Sequence, residues 1–235
     1  MANILKYIKK YKNVSFEKEK FNEIDNLIFS ELAYLNFDKI VPNDRNTITL
    51  NEAIISYLNK HTYKETKKEG IAQKEAYKLL KFLVDSNRYK NVLIYNYIYI
   101  GNKNIQFSAM TFKYKREFIY VAFEGTDDLI SGWKENFKIA YKFPTISHKE
   151  AINYLNKTIK WYDRNVIVGG HSKGGNLALV ASMYCSSLKR LKIKKIYNND
   201  GPGLRLKEIN SIQYRRIKDR YVHIIPNYSY IGVLL

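Results

Sequence analysis

The residues best placed to do chemistry are Gly170-His171-Ser172-Lys173-Gly174. The β-branched run Val166-Ile167-Val168 leads into them, and an amphipathic pattern starts at once, with Leu177, Ala178, Val180, Ala181 and Tyr184 on one helical face. Strand, sharp turn, helix is the context in which G-x-S-x-G forms a nucleophile elbow: the turn strains the serine backbone and holds its hydroxyl out at the carboxyl edge of a sheet. The five-residue pattern alone would arise by chance in roughly 0.08 of chains this long, so the flanking elements carry the signal. The alternative is a glycine-rich turn without chemistry.

A serine nucleophile needs donors for an oxyanion, a base, and an acid that orients the base. In an elbow one donor is the N–H of the next residue, Lys173, with the helix dipole behind it. The second comes from a loop after an earlier strand. Phe118-Ile119-Tyr120-Val121-Ala122-Phe123 delivers Glu124-Gly125-Thr126 to that edge, and Thr126 offers both an N–H and a hydroxyl. Asp127 and Asp128 follow and could fix that loop's shape. Asp200 ends the strand after the elbow helix, where ligands bind in open sheets. It reads equally as an orienting acid and as a turn former before Gly201-Pro202-Gly203. The order serine, acid, histidine leaves His223 alone among the four histidines, yet Tyr221-Val222-His223-Ile224-Ile225-Pro226 reads as a strand. His171 adjoins the serine with its side chain expected to face away from the pocket, in a core or hydrogen-bonded role.

Alternating elements must position these residues. Helical spacing is expected over 1–12, 18–35 and 71–86, with Asn51 capping another helix through Leu58. Residues 91–100, 105–114 and 118–123 read as three antiparallel strands, the first two joined by the turn cluster Gly101-Asn102-Lys103-Asn104. A helical stretch is expected from Trp133 to Ile139. Ser147-x-x-Glu150 reads as a capping box for a helix whose apolar stripe is Ala151, Ile152, Leu155, Ile159 and Tyr162. Strands at 165–169, 192–198 and 220–226 alternate with the elbow helix and a helix at about 205–217. The fold class expected is α/β: a mostly parallel sheet with antiparallel N-terminal strands and helices on both faces.

Composition narrows the partners. The 235 residues are 46% hydrophobic, enough for the core of one domain. No stretch approaches the roughly 20 apolar residues that span a bilayer, and the N-terminus lacks a secretory h-region. The single Cys185 excludes an internal disulfide framework and suits a reducing cytoplasm, as a small core residue. The net charge of +18 is spread along the chain and accompanied by no nucleic-acid recognition motif, so nucleic acid is not an expected partner. Contact with an anionic membrane surface stays open. No cluster with metal-ligand spacing and no phosphate loop is present, so neither metal nor cofactor is expected.

Ala122-Phe123-Glu124-Gly125-Thr126, then Gly132-Trp133, then the Gly170–Ala178 elbow resemble the lipase-type α/β-hydrolases, class 3 lipases in particular. Lys173, the Asn199-Asp200-Gly201-Pro202-Gly203 segment and the opening Phe21–Leu27 are closer still to a lipase-like bacterial family called Mbeg-like. The resemblance covers nearly the whole chain. It implies an α/β-hydrolase fold, Ser172 as nucleophile, Thr126 and Lys173 as oxyanion donors, and a small acyl or lipid-like substrate. Class 3 lipases carry their acid after the next strand, where this chain has Asn227-Tyr228-Ser229. The resembling family continues beyond this point, so 1–235 is expected to be one hydrolase-like domain lacking a C-terminal strand and histidine segment. An inactive hydrolase that binds without turnover is the alternative.

Overall fold

The computed structural model describes residues 2–102, 105–126, 143–227, 229 and 232. Among them seven strands form one mixed sheet, in chain order from edge to edge. They are β1 (Ile48–Thr49), β2 (Leu93–Asn102), β3 (Ile105–Tyr114), β4 (Phe118–Phe123), β5 (Val166–His171), β6 (Ile193–Asn199) and β7 (Tyr221–Ile224). Pairing is antiparallel from β1 to β4 and parallel from β4 to β7. Short connections join β2 to β3 and β3 to β4, three helices lie between the antiparallel β1 and β2, and helical crossovers accompany the parallel pairs. Between β2 and β3 the register shifts at a bulge between Tyr95 and Ile98. The N–H groups of Asn96 and Tyr97 there reach Asp44 O and Pro42 O at 2.8 and 2.9 Å.

Strand β4 shows how the sheet divides two cores. Side chains alternate along a strand, so Phe118, Tyr120 and Ala122 join one apolar cluster while Ile119, Val121 and Phe123 join the other. The first cluster is roofed by helices from the N-terminal part: α1 (Ala2–Tyr11), α2 (Glu23–Leu32), α3 (Leu50–Lys60) and α5 (Ile71–Leu83), with α4 (Tyr63–Glu69) packed on α5. Phe29 stacks on Phe112 at 4.5 Å between ring centroids, and Phe16 meets Phe118 edge-on at 4.8 Å. The second cluster is roofed by α6 (Ile146–Thr158) and α7 (Lys173–Tyr184). Cys185 is buried in this second core, and desolvation pushes its thiol up to about 11. A helical layer on each face of a sheet with a strand–turn–helix at its centre is an α/β-hydrolase fold. Among the described residues no helix is long and apolar enough to cross a membrane.

Several boundaries differ from the sequence reading for local reasons. The helix expected from residue 18 starts at Glu23, because Asn22 and Asp25 form a reciprocal capping box. Thr49 with Glu52, not Asn51, caps α3. Thr145 with His148, not Ser147 with Glu150, caps α6. That helix ends at Thr158, so Tyr162 lies beyond it and is exposed. Gly101 and Asn102 belong to β2. Helix α4, rich in Lys and Glu, has too little apolar periodicity to be seen in advance; Thr62 and Glu65 cap it. The helix expected at 205–217 is two single-turn pieces, α9 (Leu206–Ile209) and α10 (Ile212–Arg215), divided where Ser211 caps the second. A further four-residue helix, α8 (Ser187–Arg190), links α7 to β6. The stretch from Trp133 to Ile139 lies outside the described residues.

Candidate active site

Ser172 stands between β5 and α7 with φ 54° and ψ −128°. Side-chain-bearing residues avoid that region, and holding one there costs about 1–3 kcal/mol. Neighbours on both sides enforce the turn. The Ser172 N–H donates to Asn199 O on β6 at 2.8 Å, and its carbonyl accepts from Gly175 N at 2.9 Å. A Cβ on Gly170 would lie 2.5 Å from Phe123 O, and one on Gly174 only 2.2 Å from the same atom and 2.9 Å from Glu124 C. Both motif glycines are therefore contact surfaces. They let the end of β4 rest directly on the first turn of α7.

That contact brings Glu124-Gly125-Thr126 beside the elbow. Gly125 is held close as well: a Cβ there would meet Tyr34 Oη at 1.9 Å and His171 O at 2.6 Å. Thr126 is half-buried. Lys173 opens α7, and the first N–H groups of a helix lie outside its i→i−4 ladder. Its side chain does something the sequence did not announce. It is buried, and Nζ donates to Gln106 O on β3 at 2.8 Å. Asp127, Asp128, Gly132 and Trp133 lie outside the described residues.

A buried polar pillar supports β5 from the N-terminal face. Asn199 Nδ2 donates to Gly170 O at 3.0 Å and to Ser30 Oγ at 3.0 Å, while Asn26 Nδ2 donates to Asn199 Oδ1 at 2.7 Å. Tyr120 Oη donates to Asn26 Oδ1 at 2.7 Å and pairs with Ser30 Oγ at 2.8 Å. Burial raises the Tyr120 phenol well above its ordinary value, so it stays neutral. On the other side Asn176, one turn into α7, donates to Pro202 O and Gly203 O at 3.1 and 2.8 Å and accepts from His148 Nε2 at 2.7 Å. His148 is thus a buried strut that ties α6 to α7. The sequence does not announce this network, although Asn26, Tyr120, Asn176 and Asn199 lie in segments singled out for other reasons. Isolated Asn, Ser and Tyr positions become recognisable only when topology brings α2, β4 and β6 together. The one available signal was the polar pair Asn198-Asn199 inside an apolar strand.

The histidines are engaged elsewhere. His171 Nδ1 meets Tyr34 Oη at 2.8 Å, a hydrogen-bonded role behind the turn. His223 sits in β7, and its Nε2 donates to Gly201 O at 3.0 Å, which fixes the neutral ring with its lone pair on Nδ1. Desolvation keeps its pKa below the ordinary imidazole value. Among the described residues, no histidine hydrogen-bonds Ser172. Asp200 has φ 53° beside the elbow strand. Its Oδ1 accepts from Ser229 Oγ, and from Gly232 N at 3.1 Å. The carboxylate therefore shapes the segment after β7.

A family model described as Mbeg1-like matches residues 83–235. The chain belongs to the Mbeg1-like family. No curated protein matches this Mbeg1-like chain. Solved structures similar to it include a fungal lipase in a lipase–inhibitor complex, at 12% identity and a TM-score of 0.47, covering 95% of this chain and 71% of that one. M37 lipase is similar at 15% identity and a TM-score of 0.46, covering 85% of this chain and 65% of its own.

Proposed function

We propose that the chain is a serine hydrolase of the lipase or esterase type, acting on a small acyl or lipid-like ester. The observation that carries the reading is the strained backbone of Ser172, held by close backbone packing of β4 on α7. Ser172 Oγ attacks the ester carbonyl, the oxyanion rests on the main-chain N–H groups of Thr126 and Lys173, and the alcohol leaves with the proton that Ser172 gave up; water then attacks the acyl-serine, which releases the carboxylic acid and returns a proton to Ser172 Oγ. Asp200 is the candidate orienting acid: its Oδ1 accepts from Ser229 Oγ and Gly232 N, and its Oδ2 makes no hydrogen bond among the described residues. The engagement of all four histidines with other partners favours a second reading, a hydrolase scaffold that binds an acyl ligand without turnover. A fluorophosphonate probe decides between them. Labelling of the wild type that is lost in Ser172→Ala supports hydrolysis. An unlabelled wild type supports binding without turnover.

A further inference from the structure

The pole opposite Ser172 carries a surface that the hydrolase reading does not use. Trp161, Leu188 and Leu191 are 81%, 74% and 70% exposed. They line one groove of about 570 Å³ together with Arg164, Lys192 and Lys194. Leu188 and Leu191 are three residues apart on α8 and its C-cap, so they project side by side. No carboxylate lines this groove. Arg164, Lys192 and Lys194 form no ion pair among the described residues. A second basic groove adjoins it through Arg164 and Asn165 and is flanked by Lys113 and Arg116. Its one acid, Asp163, is buried against Arg45. The surface thus combines a protruding tryptophan and two leucines with unneutralised cations.

We propose that this surface docks on an anionic lipid bilayer. A tryptophan and two leucines can enter the boundary between headgroups and acyl chains while the surrounding cations meet anionic headgroups. Single-stranded nucleic acid is the less suited partner, since bases need flat rings to stack on, and the exposed rings of the two grooves, Trp161 and Tyr162, meet edge-on at 82° and share no stacking face. The placement has a consequence for the proposed hydrolase, and rests on that reading. Asn165 precedes β5 and Ser172 follows it, so the groove and the nucleophile lie about 20 Å apart at opposite ends of that strand, at ~3.3 Å per residue. Docked this way, Ser172 faces water. Its substrate then arrives from solution, as a soluble or short-chain acyl ester, and not from the bilayer that holds the protein.

Vesicle co-sedimentation of the full chain tests the docking without reference to activity. The probes are phosphatidylcholine vesicles with and without a quarter of phosphatidylglycerol, at low and high salt. Binding is expected to the anionic vesicles only, weakened by salt, with a tryptophan blue shift that Trp161→Phe abolishes. Each cation removed from such a surface weakens binding about fivefold, so Arg164→Gln/Lys192→Gln/Lys194→Gln should lose roughly 100-fold. Lys64→Gln/Lys67→Gln/Lys68→Gln removes the same charge from exposed positions on α4 and should lose far less. Equal losses in the two triple variants would overturn the proposal. So would no binding at low salt, binding of a single-stranded RNA oligonucleotide in place of vesicles, or burial of the groove in a dimer that Leu188→Ser/Leu191→Ser dissolves. Docking with an unlabelled Ser172 would leave this surface standing and remove only the hydrolase reading.

Discussion

Replacing Ser172 by glycine should make the protein more stable than replacing it by alanine. At φ 54° and ψ −128° a residue with a Cβ costs about 1–3 kcal/mol. Alanine keeps the Cβ and therefore the strain, whereas glycine relieves it. Glycine also loses more unfolded-state entropy than alanine, about 0.5–1 kcal/mol. The difference leaves Ser172→Gly ahead by about 1 kcal/mol, or ~2–4 °C in Tm for a chain of this size. Urea unfolding followed by circular dichroism gives both values from midpoints at unchanged slope. The same pair of substitutions at Ser187, an exposed helical position, supplies the control, and there alanine should be the more stable. If Ser172→Gly proved no more stable than Ser172→Ala, the elbow would not be strained and the main support for a nucleophile would be gone.

Gly174→Ala puts a methyl group 2.2 Å from Phe123 O, against backbone that cannot swing aside; a loss of at least ~2 kcal/mol is expected in urea unfolding, with loss of any fluorophosphonate labelling. Arg88→Met should cost about 3–5 kcal/mol, because Asp25 would stay buried without the guanidinium 2.6 Å away. The double variant Asp25→Asn/Arg88→Met should lose less than the sum of the two single changes, as measured in the same assay. The folded-state pKa of His223 lies below its ordinary value, so between the two values the unfolded chain binds more protons. Its contribution is present above the ordinary value and is lost as pH falls toward the folded one. Unfolding midpoints from pH 5 to 8 should show that dependence in the wild type and a flatter profile in His223→Asn.

How far the site could be read in advance depended on the kind of interaction. Ser172, Gly170 and Gly174 were legible because a local motif lay between two elements whose periodicities are unmistakable. The switch from antiparallel to parallel pairing at β4 was legible for a similar reason: short loops precede that strand and a helical pattern follows it. The caps expected at Asn51 and Ser147 lie two residues beyond the actual ones, since Thr49 and Thr145 compete with them for the same role and only the packed chain decides. Lys173 was read for its main chain, and its side chain proved to be tied to Gln106 O in the interior. No sequence period announces such a contact. The same holds for the bonds of Asn26 and Ser30 to Asn199, which join residues more than 150 positions apart in chain order.

The pillar beneath β5 has a bearing on where the chain can be divided. The family match begins at residue 83, yet Asn26, Ser30 and Tyr34 all come before it. A version of the chain started at Leu83 would retain every residue of the elbow and lose the side chains that complete the hydrogen bonding of Asn199, Tyr120 and His171 from below. The buried amide and phenol would then face vacated space or admit water, at ~1–3 kcal/mol for each unsatisfied group. Minimal-fragment design for this family should therefore be drawn around the footings of the nucleophile and not around the span of recognisable sequence.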